Sequence, residues 1–267
     1  MSKKIIIALL LCAGLYALGD KPQDTPDAGS SAPAVSRPPR SAQPPIEELN
    51  ADQLYIRAYE EHNSAQRMNY RGQNLKAIAA LELFQNKYVD DDRKFELMYF
   101  LSLDYAKNIQ PAERAAVVEK YFTEAPSDNS VYENMRLERL GAYAGMRNTV
   151  SASALYTELS EQYATHNLIL AGIHRDALPV LESSGDIDGC RKIYSFFRES
   201  KNRKYLNLER DYYIYTYKLA LLEHNAGNLL AAAPLFKEVA DQKNTPVLAM
   251  FAESAEYYLQ NIEDNRQ

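Results

Sequence analysis

The stretch Leu219–Pro246, LALLEHNAGNLLAAAPLFKEVADQKNTP, decides the reading of the chain. Apolar residues recur at steps of three and four on both sides of Gly227-Asn228, which marks two helices joined by a turn. Thr245-Pro246 then opens a further helix, with proline at the first helical position. Inside the second helix a small residue, Ala232, is followed four positions later by an aromatic, Phe236, on the same face.

The same pairing occurs upstream as Ala80 with Phe84, Val118 with Phe122, Ala152 with Tyr156 and Cys190 with Tyr194. The five anchors lie 38, 34, 38 and 42 residues apart. Polar or Gly/Pro breaks delimit about eleven helices of about 13 to 24 residues. Long first helices are expected from near Glu47, Asp91, Asp128, His166 and Lys204, each followed by a shorter second helix. Ser127 or Asp128, and Asp186, are the expected N-caps, and the helix from Pro246 is the expected cap of the stack. No segment alternates apolar and polar residues for long enough to be a strand. Helix pairs at this period are the mark of an α-solenoid, in which each pair buries its open face on the next.

The Leu219–Pro246 stretch resembles a tetratricopeptide repeat. Ala220 takes the small place of the first helix, Gly227 the turn, and Leu229, Ala232, Phe236 and Val239 the places of the second helix. The stretch around Gly185, Ile187, Cys190, Tyr194 and Phe197 is similar, whereas the first three pairs match in period only and lack the common Trp. The resemblance implies an all-α, right-handed solenoid of about five antiparallel helix pairs plus a C-terminal capping helix over residues 46–267. In that family the first helices line a concave groove that holds a peptide or protein. Carried onto this chain, the groove residues are Tyr217, Leu221, His224 and Asn225, with Arg175 and Glu182 from the preceding pair. Four tyrosines between Tyr212 and Tyr217 point all round one helix, so some belong to the packing and some to a surface.

The N-terminus is an address. Lys3-Lys4, an apolar run from Ile5 to Leu18, and Ala17-Leu18-Gly19 before Asp20 form a signal-peptide pattern over residues 1–19. Leu11 is too large for the small place before a lipidated Cys12, which leaves cleavage, lipidation and an uncleaved anchor as alternatives. Each puts the remainder outside the cytoplasm, in the periplasm or cell envelope of a bacterium. Residues 20–45 hold seven of the chain's 12 prolines and almost no large apolar residue, so they read as a disordered spacer.

Composition narrows the function. The 267 residues are 46% apolar and 25% charged, with 20 Tyr, 8 Phe and no Trp. The net charge of −6 becomes −8 once Lys3 and Lys4 are removed, which speaks against general nucleic-acid binding and for a neutral or basic partner. With Cys12 gone, Cys190 has no disulfide partner, and its place in the packing pattern makes it a core residue. The four histidines form no HExxH, and GxSxG, Walker and GxGxxG patterns are absent, so no cofactor or metal is expected. The leading expectation is an exported, non-catalytic scaffold that binds a protein or peptide in a helical groove. The alternatives are a helical cell-wall glycosidase or lytic transglycosylase, which would need a deep pocket with a buried Glu of raised pKa, and a purely structural oligomerisation module.

Overall fold

The computed structural model describes residues 44–68, 71–206 and 208–264. The expected signal segment 1–19, Cys12 and nearly all of the spacer lie outside the described residues. Among the described residues there are eleven α-helices and no strand. They are α1 (Ala51–Arg67), α2 (Arg71–Lys87), α3 (Lys94–Lys107), α4 (Pro111–Glu124), α5 (Tyr132–Gly145), α6 (Thr149–Gln162), α7 (Asn167–Ser184), α8 (Ile187–Arg198), α9 (Glu209–Asn225), α10 (Leu229–Ala240) and α11 (Ala249–Asp264).

The helices begin later than the sequence pattern places them. Residues Ile46–Glu48 and Arg203–Tyr205 form single 3-10 turns, so α1 starts only at Ala51, behind an Asn50–Gln53 capping box, and α9 only at Glu209. The expected caps Ser127 and Asp128 do not cap α5. Asn129 shapes that turn instead, accepting from the Val131 N–H (3.1 Å) and the Tyr121 hydroxyl (3.0 Å). Pro246 opens a 3-10 turn rather than α11 itself. Second helices are shorter than their partners only in the last two pairs, 12 residues against 18 and 12 against 17.

Two compact units divide inside α3, between Asp104 and Tyr105. In the first unit α1 packs on α2 over Leu54, Ala58, Ala77, Ala80, Leu81 and Phe84. A buried polar knot ties in α3 near its C-terminal end: Asp104 takes His62 Nδ1 at 2.9 Å and the Gln66 amide at 2.8 Å, while its carbonyl accepts from Asn74 at 3.0 Å. The His62 ring lies flat on Phe100, with centroids 4.4 Å apart.

In the second unit each helix from α4 to α11 packs on the next. Four first helices end in the same way. Ile109, Arg147, Gly185 and Gly227 adopt left-handed backbone, with φ of 58°, 54°, 73° and 78°. The next N–H in each case bonds the carbonyl five residues earlier: Gln110 to Tyr105 (2.9 Å), Asn148 to Tyr143 (2.9 Å), Asp186 to Leu181 (3.0 Å) and Asn228 to Glu223 (2.8 Å). This is the Schellman closure, which satisfies carbonyls the helix end leaves open. Two of those residues then cap the following helix, Asn148 on the Ser151 N–H (3.2 Å) and Asp186 on the Gly189 N–H (2.9 Å). One residue thus ends one helix and starts another, which holds each pair tightly hairpinned.

This turn corrects one anchor. Ala152, Cys190 and Ala232 each stand five residues after the left-handed residue, whereas Val118 stands nine after Ile109. The residue equivalent to the small anchor in α4 is therefore Arg114, and Val118 takes the place of the aromatic. Val118 is fully buried, and Phe122, a turn further on, is half-buried against Tyr132 and the Arg139 guanidinium. The other anchors, Ala152, Tyr156, Cys190, Tyr194, Ala232 and Phe236, are all buried. Tyr156, Cys190 and Tyr194 share one core with Leu159, Ile173 and Phe197, and Ala232 and Phe236 lie in a second with Ala220 and Ile262.

Candidate functional site

The chemistry of the second unit gathers on α5, α7 and α9. Helices α5 and α7 touch directly, and Lys218 of α9 reaches Glu182 of α7 at 2.6 Å. Arg114 crosses from α4 and binds Glu138 of α5 at 2.7 Å, with both side chains mostly buried. Gly141 makes that crossing possible: a Cβ there would lie 2.4 Å from a guanidinium nitrogen of Arg114. Asp176 of α7 faces the same charges. Its side chain is open to solvent but densely surrounded, and that desolvation, followed by the negative charge of Glu138, pushes its pKa up to about 6. Arg114 and Arg175 pull in the opposite direction. With a pKa of about 6 the carboxyl is mostly ionised at pH 7, and its negative charge faces solvent where a cation can reach it.

Beside this charged strip, where α7 turns into α8 and meets α9, lies a cavity of about 270 Å³. Leu181, Cys190, Tyr194 and Leu221 make its apolar wall, and Glu182 and Lys218 stand at its polar side. Glu182 accepts from both the Tyr194 hydroxyl and Lys218, so two helices fix its direction. Burial, then the nearby Glu182 and Asp186 charges, push the Cys190 thiol up to about 11, which leaves little thiolate at neutral pH. The cavity suits one apolar side chain next to a polar backbone and offers no nucleophile from Cys190.

The groove residues expected from the sequence divide between two places. Arg175, Glu182 and Leu221 belong to the strip and cavity just described. Tyr217 and His224 do not. The Tyr217 ring packs on Phe236 (6.0 Å) and Phe251 (5.5 Å), and its hydroxyl meets Ser254 Oγ at 2.6 Å. His224 sits against Tyr258 at 5.0 Å, and Asn225 beside it is exposed. That side of α9 is covered by α10 and α11, so its aromatic residues close the stack rather than line an open groove. The other tyrosines also pack: Tyr212 bonds Glu238 (2.6 Å) beneath the Arg203 guanidinium (3.8 Å from the ring centre), and Tyr215 rests on Tyr194 and Phe197.

Four residues carry chemistry that the sequence pattern does not reveal. Asp176, Glu138 and Arg114 are scattered over 63 positions, 114 to 176, and meet only through the stacking of α4, α5 and α7. His174 reads as an ordinary surface or satisfied histidine. It is 1% exposed, bonded to the Tyr156 hydroxyl at 3.3 Å and enclosed by Phe196 and Phe197. Burial, with a smaller push from Lys192, lowers its pKa to about 4, so it is neutral in the folded protein at pH 7.

Among the described residues no three His, Cys, Asp or Glu side chains converge in a way that could hold a metal ion. No described helix is long and apolar enough to cross a membrane. No family model matches the chain, and no curated protein matches it.

Proposed function

We propose that the protein is an exported, non-catalytic scaffold of the tetratricopeptide-like kind, working in the cell envelope and holding a protein or peptide segment across α5, α7 and α9. The observation that carries the reading is the pairing of an apolar cavity with a charged strip on consecutive first helices. The cavity receives an apolar side chain of the segment, and Glu182 and Lys218 address its backbone. Asp176 and the chain's net charge of −6 favour a neutral or basic partner. The right-handed solenoid of five pairs and a cap, and cleavage after Gly19, belong to the same reading.

The test is capture on the purified chain beginning at Asp20, with bound proteins identified and then measured against Lys218→Glu and Leu221→Asp. Either change is expected to weaken capture at least tenfold, about 1.4 kcal/mol, and rising salt to weaken it further. Capture indifferent to both variants would overturn the site.

Asp176 favours a second reading, as the general acid of a cell-wall glycosidase. Asp176 does not line the cavity above, and Glu138 beside it is bound to Arg114. Release of soluble fragments from peptidoglycan by the protein, abolished in Asp176→Asn, would establish the enzyme instead.

A further inference from the structure

The first unit carries a groove of about 550 Å³ between α1 and α2. Its wall is made by Ile56 and Glu60 of α1 and by Lys76 and Ala79 of α2, and one end is formed by Pro44, Ile46 and Leu49. Ile56 is 56% exposed, a large apolar side chain presented along the groove. Arg57 and Glu61 pair with each other across one helical turn, whereas Glu60 is an exposed carboxylate available to a cation. The start of the described chain is fastened at the groove's end: Lys87 Nζ donates to the carbonyls of Glu47 (2.6 Å) and Leu49 (2.8 Å), and the Tyr88 hydroxyl donates to Leu49 (2.6 Å).

We propose that residues 37–43 of this same chain, RPPRSAQ, dock in the α1–α2 groove in cis. Three observations commit the groove to this occupant. Pro44, to which the segment is joined, is one of its walls. The lengths match. From Asn50 to Glu60 α1 rises about 15 Å at about 1.5 Å per residue. A polyproline II segment advances about 3.1 Å per residue, which places Arg40 about 12 Å and Arg37 about 22 Å from Pro44. On that scale Ser41 comes level with Ile56, about 9 Å along α1, and Arg40 and Arg37 fall on either side of Glu60 with Pro38 and Pro39 between them. The chemistry matches as well. Prolines pre-set for an extended helix dock on apolar grooves with little loss of entropy. The carbonyls of such a helix have no internal partners, and Lys76 can donate to them.

The tether makes a weak contact sufficient. A segment joined directly to the groove works at an effective concentration on the order of millimolar, so an intrinsic affinity about tenfold tighter, on the order of 0.1 mM, keeps it roughly nine-tenths seated. The spacer is then a built-in ligand of the first unit, which a competing proline- and arginine-bearing segment would have to displace. The proposal is independent of the partner reading for the second unit.

The absence of tryptophan from the chain permits a clean test. A single reporter, Ser41→Trp, is placed in the protein beginning at Asp20 and in a free peptide of residues 30–45. Acrylamide quenching is expected to be at least threefold weaker in the protein than in the peptide. Ile56→Asp, at an exposed position that leaves the core intact, is expected to restore peptide-like quenching, and Arg37→Ala with Arg40→Ala to restore it in part. Quenching equal to the peptide's, or protection that survives Ile56→Asp, would overturn the proposal. So would protection that falls on dilution, since it would make a second copy the occupant.

Discussion

Ile109 is the most informative residue to change. It is 87% exposed, β-branched and held at φ 58°, where L-residues are crowded by their own Cβ. That conformation costs about 1–2 kcal/mol for an L-residue, and glycine escapes the cost at the expense of about 0.5–1 kcal/mol of extra unfolded-chain entropy. The exposed side chain contributes almost no burial to offset this. Ile109→Gly is therefore expected to stabilise the protein by about 0.5–1 kcal/mol, and Arg147→Gly by a similar or smaller amount. The converse changes use the glycines at equivalent positions. A Cβ on Gly185 or Gly227 meets nothing within 4 Å, so Gly185→Ala and Gly227→Ala carry a conformational cost alone, about 1 kcal/mol. Urea denaturation followed by helical circular dichroism reads all four, with expected midpoint shifts of about 0.3–0.5 M in opposite directions. Destabilisation by Ile109→Gly, together with silent glycine substitutions, would refute the shared left-handed turn.

Other expectations follow from burial and charge. Tyr217→Ala should cost about 2 kcal/mol because a half-buried ring leaves the α9–α11 contact, and Tyr217→Phe about 1 kcal/mol for the Ser254 bond; urea melts decide, and a silent Tyr217→Ala would return the residue to an open surface. Native Cys190 should resist alkylation at pH 8 and react fully in urea; rapid native labelling would show an accessible thiolate. His174, with its folded pKa near 4 and an unfolded value near 6.5, contributes stability that is present above pH 6.5 and lost as pH falls towards 4, on the order of 2–3 kcal/mol by pH 4.5. His174→Gln should remove that loss. Asp176 has the opposite sign: its raised pKa favours the fold below about pH 4, an advantage lost as pH rises through 6, so Asp176→Asn should steepen acid destabilisation. Parallel pH profiles for wild type and both variants would refute these two assignments.

The helices were legible in the sequence because their signals are local. Apolar spacing, Gly185, Gly227 and the Asp186 cap each act within one or two turns, and the structure has a helix or a helix end at each. Helix starts were less legible because caps compete: Asn129, not Asp128, holds the turn before α5, through a tyrosine hydroxyl from the preceding helix. The turns at Ile109 and Arg147 carry no glycine, so nothing in the sequence announces left-handed backbone there. The candidate site was the least legible part. Repeat position puts Arg175 and Glu182 on α7, but it says nothing of the packing around Tyr217, because periodicity gives a residue's face and not what covers it. Here α11 covers it.

The shared turn also shows where the repeat departs from itself. Small residues occupy the fifth position after the turn in α6, α8 and α10, where Ala152, Cys190 and Ala232 let the neighbouring helix approach. In α4 that position is Arg114, the largest substitution the repeat makes, and its guanidinium is received by Gly141 and Glu138 beside Asp176. A packing position given up for a charge is a departure that packing alone does not explain. It places a cation where Glu138 and Asp176 would otherwise face each other. Arg114→Ala restores the small residue and removes the cation, so the two expectations oppose each other. If the repeat packing dominates, the variant is neutral or slightly stabilised at every pH. If the charge dominates, as the Glu138 bond at 2.7 Å indicates, the variant loses about 1–3 kcal/mol at pH 7. Less is lost at pH 5, where protonation of Asp176 relieves the repulsion. The carboxyl carbon of Asp176, followed by NMR, should then titrate above its wild-type value near 6. An unchanged titration would separate Arg114 from Asp176 and reduce the charged strip to an isolated ion pair.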